Sequence, residues 1–451
     1  MSLAKSEVVT IAGAGLAGAY LATLLAEAGV TVNLYESRPD MRQENVGGGR
    51  SINLAISRRG LEALAAVGLS QQVEALLIPM KGRQIHQESG GETFQTYGAQ
   101  AGEGIYSVSR SGLNRLLLDR AEATGRVRFH FDSGVESVDL DQKMLRLNNG
   151  SQVPYQRLVG TDGSGSMVRK SLLEKTGRFQ AEMLDYGYKE LTVPPMQGNF
   201  ALEPHALHIW PRHRFMLIAL PNPDKTFTGT LFLPHTGNPG FSSLDTSDAL
   251  QSFFEQNFAD ALPMIPELGQ EFFSNPTGVL GTIRLDTWHW QDHLVLMGDA
   301  AHGIVPFYGQ GMNCALESCR QFFENLKNHG FQWQNALPDF VQNRKPQADA
   351  IAQLALKNFW EMQDHVADEK FLLEKAVLNS LEGLIPGFRT EYSLVTFTEV
   401  PYDDALEQGQ EQKTLVKQIV GNAQSLGEID WQNAETLARN YLNQHQLRSA
   451  L

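Results

Sequence analysis

Residues 8 to 36 constrain the fold most. VVTIA at 8–12 runs into Gly13-Ala14-Gly15-Leu16-Ala17-Gly18; an Ala- and Leu-rich stretch reaches Ala28 and Gly29, and Thr31 to Tyr35 leads to Glu36. A short β-branched run ending at a glycine reads as a buried parallel strand, and Leu16 to Ala28 closed by Gly29 reads as a helix. The order predicts a βαβ unit opening an α/β fold. Gly13 makes the tight turn, Gly15 lets backbone approach a pyrophosphate, and Gly18 lets helix and strand pack closely. The N–H groups of Leu16 and Ala17 at the helix start would hold phosphate charge. Glu36 stands 23 residues after Gly13, where a carboxylate accepts hydrogen bonds from a ribose hydroxyl pair. It also disfavours a 2′-phosphate, so the resident dinucleotide is not NADP. An ordinary βαβ turn with a surface glutamate is the plain alternative.

Composition removes several classes. The 451 residues suffice for two or three domains and a large core. A formal net charge of −14 argues against nucleic acid and anionic membrane as main partners. The two cysteines, Cys314 and Cys319, fit no C-x-x-C pair and read as buried thiols of a reducing compartment. No uncharged apolar run reaches the length of a membrane span. Neither a signal peptide at the start nor a membrane anchor in residues 411–451 is expected, and the cytoplasm is the expected location.

Further along, Leu61 to Val67 reads as a short helix, Lys81 to Tyr97 as strands, and Val127 to Leu147 as a β-meander. From Gly187 to Pro234 strand-like runs alternate with Pro and Gly, the pattern of a mostly antiparallel sheet. Helical patterns dominate from Ala336 onward, with a break at Gly383 to Phe397. The expected architecture is therefore a Rossmann-like α/β domain, discontinuous over residues 1–80, 98–185 and 280–330. Inserted into it is an antiparallel substrate-binding sheet domain at 81–97 and 186–279. Residues 331–451 form a C-terminal helical region.

Two more motifs carry chemistry. In LVLMGDAAHGIVPFYGQGMN a buried strand ends at Gly298, and Asp299 projects from its carboxyl end, the edge where parallel sheets bind ligands. Gly309 and Gly311 permit a loop to lie against a flat ring, with a helix N-terminus behind it to favour negative charge. His302, tempting as a base, reads better as structural. The third motif, Gly160 to Arg169, is an Asp162-Gly163 turn between strand and helix.

In this order the three motifs resemble those of single-component flavin aromatic hydroxylases. The resemblance implies that Asp299 contacts the flavin ribityl chain and that Asp162 and Arg169 lie near both FAD and NADPH. Segments outside these motifs, among them GRSINLAISRRG, KGRQIH, YSVSRSGLNRLLLD, VPFYGQGMNCALE, ALKNFWEM and YSLVTFTEVPY, resemble the kynurenine 3-monooxygenase family over nearly the whole chain. That resemblance implies FAD, NADPH and O2, with L-kynurenine becoming 3-hydroxykynurenine through a flavin C4a-hydroperoxide. Its implied cofactor set adds Arg110, Pro306, Met312 and Asn313 to the glycines and carboxylates above.

The substrate carries an amino-acid head and an aniline ring. Arg83 is the candidate for its carboxylate, because guanidinium binds carboxylate in two-pronged fashion, and Tyr97 would add a phenol hydrogen bond. The resemblance supports both and implies Asn358 and Tyr392 on the helical side. Ring contacts would come from Ile218, Leu220, Phe232 and Met362. No residue is assigned as general base, and no metal is expected: His205 and His208 face opposite sides of a strand. Another aromatic-acid hydroxylase, a flavin halogenase suggested by Trp288-His289-Trp290, and a non-redox binding protein of the same fold are the alternatives.

Overall fold

The computed structural model describes residues 7–43, 53–98, 100, 102–177, 179–364 and 369–449. Gly47 to Gly49, a glycine run that reads in the sequence as a turn, lies outside them. Two compact units emerge, one of residues 1–77, 107–184 and 279–355, the other of 78–106, 185–278 and 356–451.

The first unit is built on a six-stranded sheet in the order His289–Trp290, Leu294–Leu296, Arg157–Gly160, Val8–Ala12, Thr31–Tyr35, Val127–His130. All neighbours run parallel except the two-residue edge strand His289–Trp290. Register decides what this sheet presents. Ala12 pairs with both Gly160 and Tyr35, and Gly160 pairs with Leu296. The chain therefore leaves the sheet at Gly13, Glu36, Thr161 and Met297 along one carboxyl edge, and the motifs at Gly13, Asp162 and Asp299 meet there. Helix Leu16–Glu27 is buried along most of its length and ends where Gly29 takes a φ of 93°.

The expected meander is only partly present. Val127–His130 joins the parallel sheet, and the antiparallel ribbon is instead Val135–Asp139, Met144–Leu147 and Gln152–Pro154. Alternation cannot distinguish the two, because a parallel edge strand is also half-exposed. Charge locks the helices of this unit. The Glu317 carboxylate, on helix Gly311–Asn328, accepts from Arg59 at 2.7 Å and Arg344 at 2.9 Å, all three fully buried. The two arginines and burial-driven desolvation pull its pKa in opposite directions, and the arginines win, holding it below the ordinary carboxylate value.

The second unit carries a sheet in which strands Phe179–Val193, Phe227–Pro234, Phe215–Pro221, Ala206–Arg212, Gly82–His86 and Glu92–Thr96 lie side by side. Only Ala206–Arg212 with Gly82–His86 is parallel. The pleat divides its side chains. Trp210, Leu217, Leu231 and Leu233 point to one face and form a core with Phe253, Phe254 and Phe258 of helix Ser247–Asn257 and the turn after it. That helix and Leu268–Ser274 interrupt a region whose strand-like patterns hide them. In the C-terminal part, the expected break at 383–397 holds a helix, Glu391–Phe397, capped by the Thr390 hydroxyl, which accepts from the Ser393 N–H. The cap was legible as Thr before a Glu-led run; proximity to Pro386 and Gly387 obscured it.

Candidate functional site

At the carboxyl edge of the first unit the loop Gly13–Gly18 meets Thr161. Gly13 has a φ of 99°, and a Cβ there would lie 2.5 Å from the Thr161 carbonyl oxygen; one at Gly18 would lie 2.0 Å from the Gly13 oxygen. A Cβ at Gly15 would meet nothing within 4 Å. Two glycines thus exist for packing, and one opens a space. Helix Leu16–Glu27 begins at that space with no side-chain cap, and helix Gly311–Asn328, after Gln310, begins with none either. Uncapped helix starts with free N–H groups beside a cradle suit a pyrophosphate and a reduced flavin. Glu36 is buried; its Oε2 accepts from the Ala14 N–H at 2.8 Å, and its Oε1 from Arg38 Nε at 2.9 Å. Arg38 outweighs burial and holds this carboxyl below its ordinary value. The Ser37 hydroxyl and the Arg38 main-chain N–H and Nη2 also reach this carboxylate, which has only about four lone-pair positions, so a ribose hydroxyl would take the place of the exposed Arg38 guanidinium.

The remaining candidates divide into those facing solvent and those consumed by the protein. Asp299, after Gly298 at a φ of 58°, is exposed at the sheet edge, and Arg110 is exposed at the start of helix Arg110–Ala123. Asp162, by contrast, accepts from the N–H groups of Met167 and Val168 at 2.8 and 3.1 Å and from the Ser166 hydroxyl. It caps helix Met167–Thr176, and burial raises its pKa. Arg169 of the same motif donates to the carbonyls of Ala300 at 3.1 Å and Asp299 at 3.4 Å. Its guanidinium therefore holds the Gly298-Asp299 loop in place. Asn313 is fully buried; it accepts from the Ser57 N–H and donates to the Ala55 and Gly309 carbonyls. Any cofactor contact from Asn313 would come from its main chain. Pro306 opens a 3-10 turn ending at Gly309, whose φ is 68°, and Gly311 and Met312 begin the helix behind it. His302 is buried between Cys314 and Ser318, where desolvation pushes its pKa down to about 4. It is a packed neutral imidazole.

In the second unit the sheet face opposite the Trp210 core collects the substrate candidates. Ile218 pairs with Thr230 and Ile209, and Met216 with Phe232; Arg83 pairs with Leu207 and Gln95. Alternation places Arg83, Tyr97, Ile218, Leu220 and Phe232 on this one face. The Arg83 guanidinium carbon lies 5.3 Å from the Tyr97 ring centroid and 5.2 Å from that of Tyr392, and the two rings are parallel at 5.8 Å. Arg83 Nε and the Tyr97 hydroxyl are both inaccessible to water and have no hydrogen-bond partner among the described residues. Burial opposes the Arg83 charge, but the phenols beside it more than offset that, and its pKa stands above the ordinary value. Burial likewise raises the Tyr97 pKa, so its phenol stays protonated as a donor.

Residues that the sequence did not single out hold Tyr392 in position. Gln412 accepts from the Glu391 N–H and donates to the Arg389 carbonyl, and Lys357 Nζ binds both Glu391 oxygens at 2.5 and 2.8 Å. Asn358, beside Lys357, is buried, and its neighbour Phe359 packs edge-on against Tyr186 at 5.0 Å. No local pattern marks these long-range pairs. The Met362 side chain lies outside the described residues. Among the described residues no cluster could hold a metal ion, and no helix is long and apolar enough to cross a membrane.

Residues 5–355 match the FAD binding domain family. The chain is 46% identical to kynurenine 3-monooxygenase of Myxococcus xanthus (strain DK1622), covering 98% of this chain and 97% of that one. It is 40% identical to the enzyme of the same name from Legionella pneumophila (strain Corby), covering 96% and 98%. Among solved structures, tetrameric 2-methyl-3-hydroxypyridine-5-carboxylic acid oxygenase is similar with a TM-score of 0.67 at 23% identity, over 82% of this chain and 96% of that one. Pseudomonas aeruginosa PqsL in complex with 2-aminobenzoylacetate gives 0.65 at 20%, over 79% and 96%. These two show the fold. With an open glycine cradle, uncapped helix starts and relatives alike from end to end, the chain belongs to the kynurenine 3-monooxygenase family of FAD-dependent monooxygenases.

Proposed function

We propose that the protein hydroxylates L-kynurenine to 3-hydroxykynurenine, with NADPH as reductant and O2 as the oxygen source. One oxygen atom enters the ring, and the other leaves as water with the two electrons of NADPH. The observation that carries the substrate assignment is the buried pair of unpaired donors, Arg83 Nε and the Tyr97 hydroxyl, above an apolar sheet face. A carboxylate satisfies both, and leaving such donors buried without one is costly. Asn358 and Tyr392 complete the head-group site. Ile218, Leu220 and Phe232 offer the ring an apolar surface that excludes water.

Bound FAD, held by Gly13, Gly15, Leu16, Ala17, Gly18, Glu36 and Asp299, supplies the activated oxygen. The substrate needs little acid–base help, because its aniline nitrogen already pushes electron density onto the adjacent ring carbon. The protein's residues orient that carbon and keep the site dry. The test is NADPH oxidation with and without L-kynurenine, with the product identified by mass. Fast oxidation with kynurenine and a product heavier by one oxygen atom is expected. Equal oxidation without any aromatic ligand, or no oxygenated product, overturns the reading.

A further inference from the structure

One donor to the Gly13–Gly18 loop comes from outside the three motifs. Thr161 Oγ1 lies 2.8 Å from the Ala12 carbonyl oxygen and 2.9 Å from that of Gly13. Ala12 already accepts from the Thr161 N–H at 2.8 Å, so the hydroxyl proton serves Gly13. The Ala14 N–H donates to Glu36 Oε2 at 2.8 Å. The Gly15 carbonyl accepts from the Ala19 N–H at 2.9 Å, in the first turn of helix Leu16–Glu27. Between these stands the carbonyl of Ala14, a buried residue, and its donor is Asn114 Nδ2 at 3.2 Å, on helix Arg110–Ala123. Each carbonyl from Gly13 to Gly15 is thereby turned to a donor of the protein. We propose that Asn114 is a positioning residue for the pyrophosphate of FAD: by holding the Ala14 carbonyl it aims the Gly15 N–H at the phosphate and keeps a carbonyl lone pair from facing it.

A trans peptide is planar, and its C=O and N–H point opposite ways. Fixing the Ala14 carbonyl therefore fixes the Gly15 N–H, directed away from Asn114, at the residue whose Cβ position is open. Glu36 and Thr161 hold the preceding peptide and leave this one free to turn. Gly15 has no Cβ to oppose that rotation, and a turned peptide would set an oxygen where the N–H stood. The surroundings of Asn114 fix its own orientation. Its Nδ2 lies 3.2 Å from the Ala14 oxygen and 3.1 Å from Met41 Sδ, both acceptors, and turning the amide over would set Oδ1 against them. That Oδ1 is buried and bonds to no described residue. An amide kept at such a cost serves through its N–H groups; packing alone would be met by an apolar side chain, as it is at Leu113, Leu117 and Leu118 of the same helix.

Titration of the apoprotein with FAD, ADP and adenosine, comparing Asn114→Leu with wild type, tests this. The leucine removes the donor and keeps nearly the same volume. FAD and ADP, which carry the pyrophosphate, should each bind about tenfold more weakly, as expected for one misdirected hydrogen bond to a charged group. Adenosine, which has no phosphate, should bind as it does to wild type. In the FAD-loaded enzyme the phosphorus NMR signals of the pyrophosphate should shift between wild type and variant. Asn114→Ala removes the donor without adding bulk and supplies the same comparison if the leucine does not fold. Equal losses for FAD, ADP and adenosine would make Asn114 a packing residue of its helix and overturn the proposal. Unchanged FAD and ADP affinities would overturn it as well, by showing that the loop keeps its shape without the amide.

Discussion

The Arg83 guanidinium carbon sits 5.3 Å from the centre of the Tyr97 ring, yet Arg83 Nε and the Tyr97 hydroxyl, both buried, bond to no described residue. Side chains stacked this closely with idle donors are arranged for an acceptor from outside. A carboxylate is the acceptor whose geometry fits a guanidinium edge.

Arg83→Ala should therefore weaken kynurenine binding by about 2–5 kcal/mol, the cost of truncating one side of a buried charged pair. Arg83→Lys should also be impaired, because an ammonium lacks the two-pronged edge. Kynurenine lacking its carboxylate should bind wild type and Arg83→Ala with similar weak affinity. Additive losses in that cycle would show that Arg83 and the carboxylate do not interact.

The glycine loop makes a paired prediction. Gly15→Ala should fold with unchanged thermal stability, because its Cβ meets nothing within 4 Å, but should lose FAD affinity by intruding on the cradle. Gly18→Ala should be destabilised before any cofactor is added, because its Cβ would lie 2.0 Å from the Gly13 oxygen. Thermal melts of both apoproteins, with FAD titrations, separate the two effects. Equal melting losses would refute the distinction.

Glu36→Ala should cost about 1.5–3 kcal/mol of FAD affinity, the range for hydrogen bonds to a charged group. Kynurenine affinity of the FAD-loaded variant should change little, since Glu36 and Arg83 stand in different units. FAD titration of the apoprotein measures the first, and an unchanged affinity would remove Glu36 from the ribose site.

Glu317→Gln should cost about 3–5 kcal/mol in urea unfolding, because two buried arginines lose their counter-charge. The sign with pH follows from its lowered pKa. Its contribution is full above the unfolded-state value and is lost as pH falls through the folded one. The gap in stability between wild type and variant should accordingly narrow in acid, and a gap independent of pH would argue against an ionised Glu317.

Local pattern was enough for part of this protein. The βαβ opening, its three glycines and Glu36 lie within 36 residues, and their periodicity and turn chemistry depend on near neighbours alone. The same holds for the carboxyl-edge aspartate after Leu294–Leu296 and for the alternation that sorts Arg83, Ile218 and Phe232 from the Trp210 core. Tertiary structure decided the rest. Only strand register brings Gly13, Thr161 and Gly298 to one edge, and only packing reveals that Asp162 and Asn313 are spent on the scaffold. Arg83 meets Tyr392, and Arg59 meets Glu317 across 258 residues, with nothing in either neighbourhood to announce it. Periodicity fixes which face a side chain takes. Which partner waits on that face is set by the burial of the whole chain, and a charge or a phenol gains its partner only there.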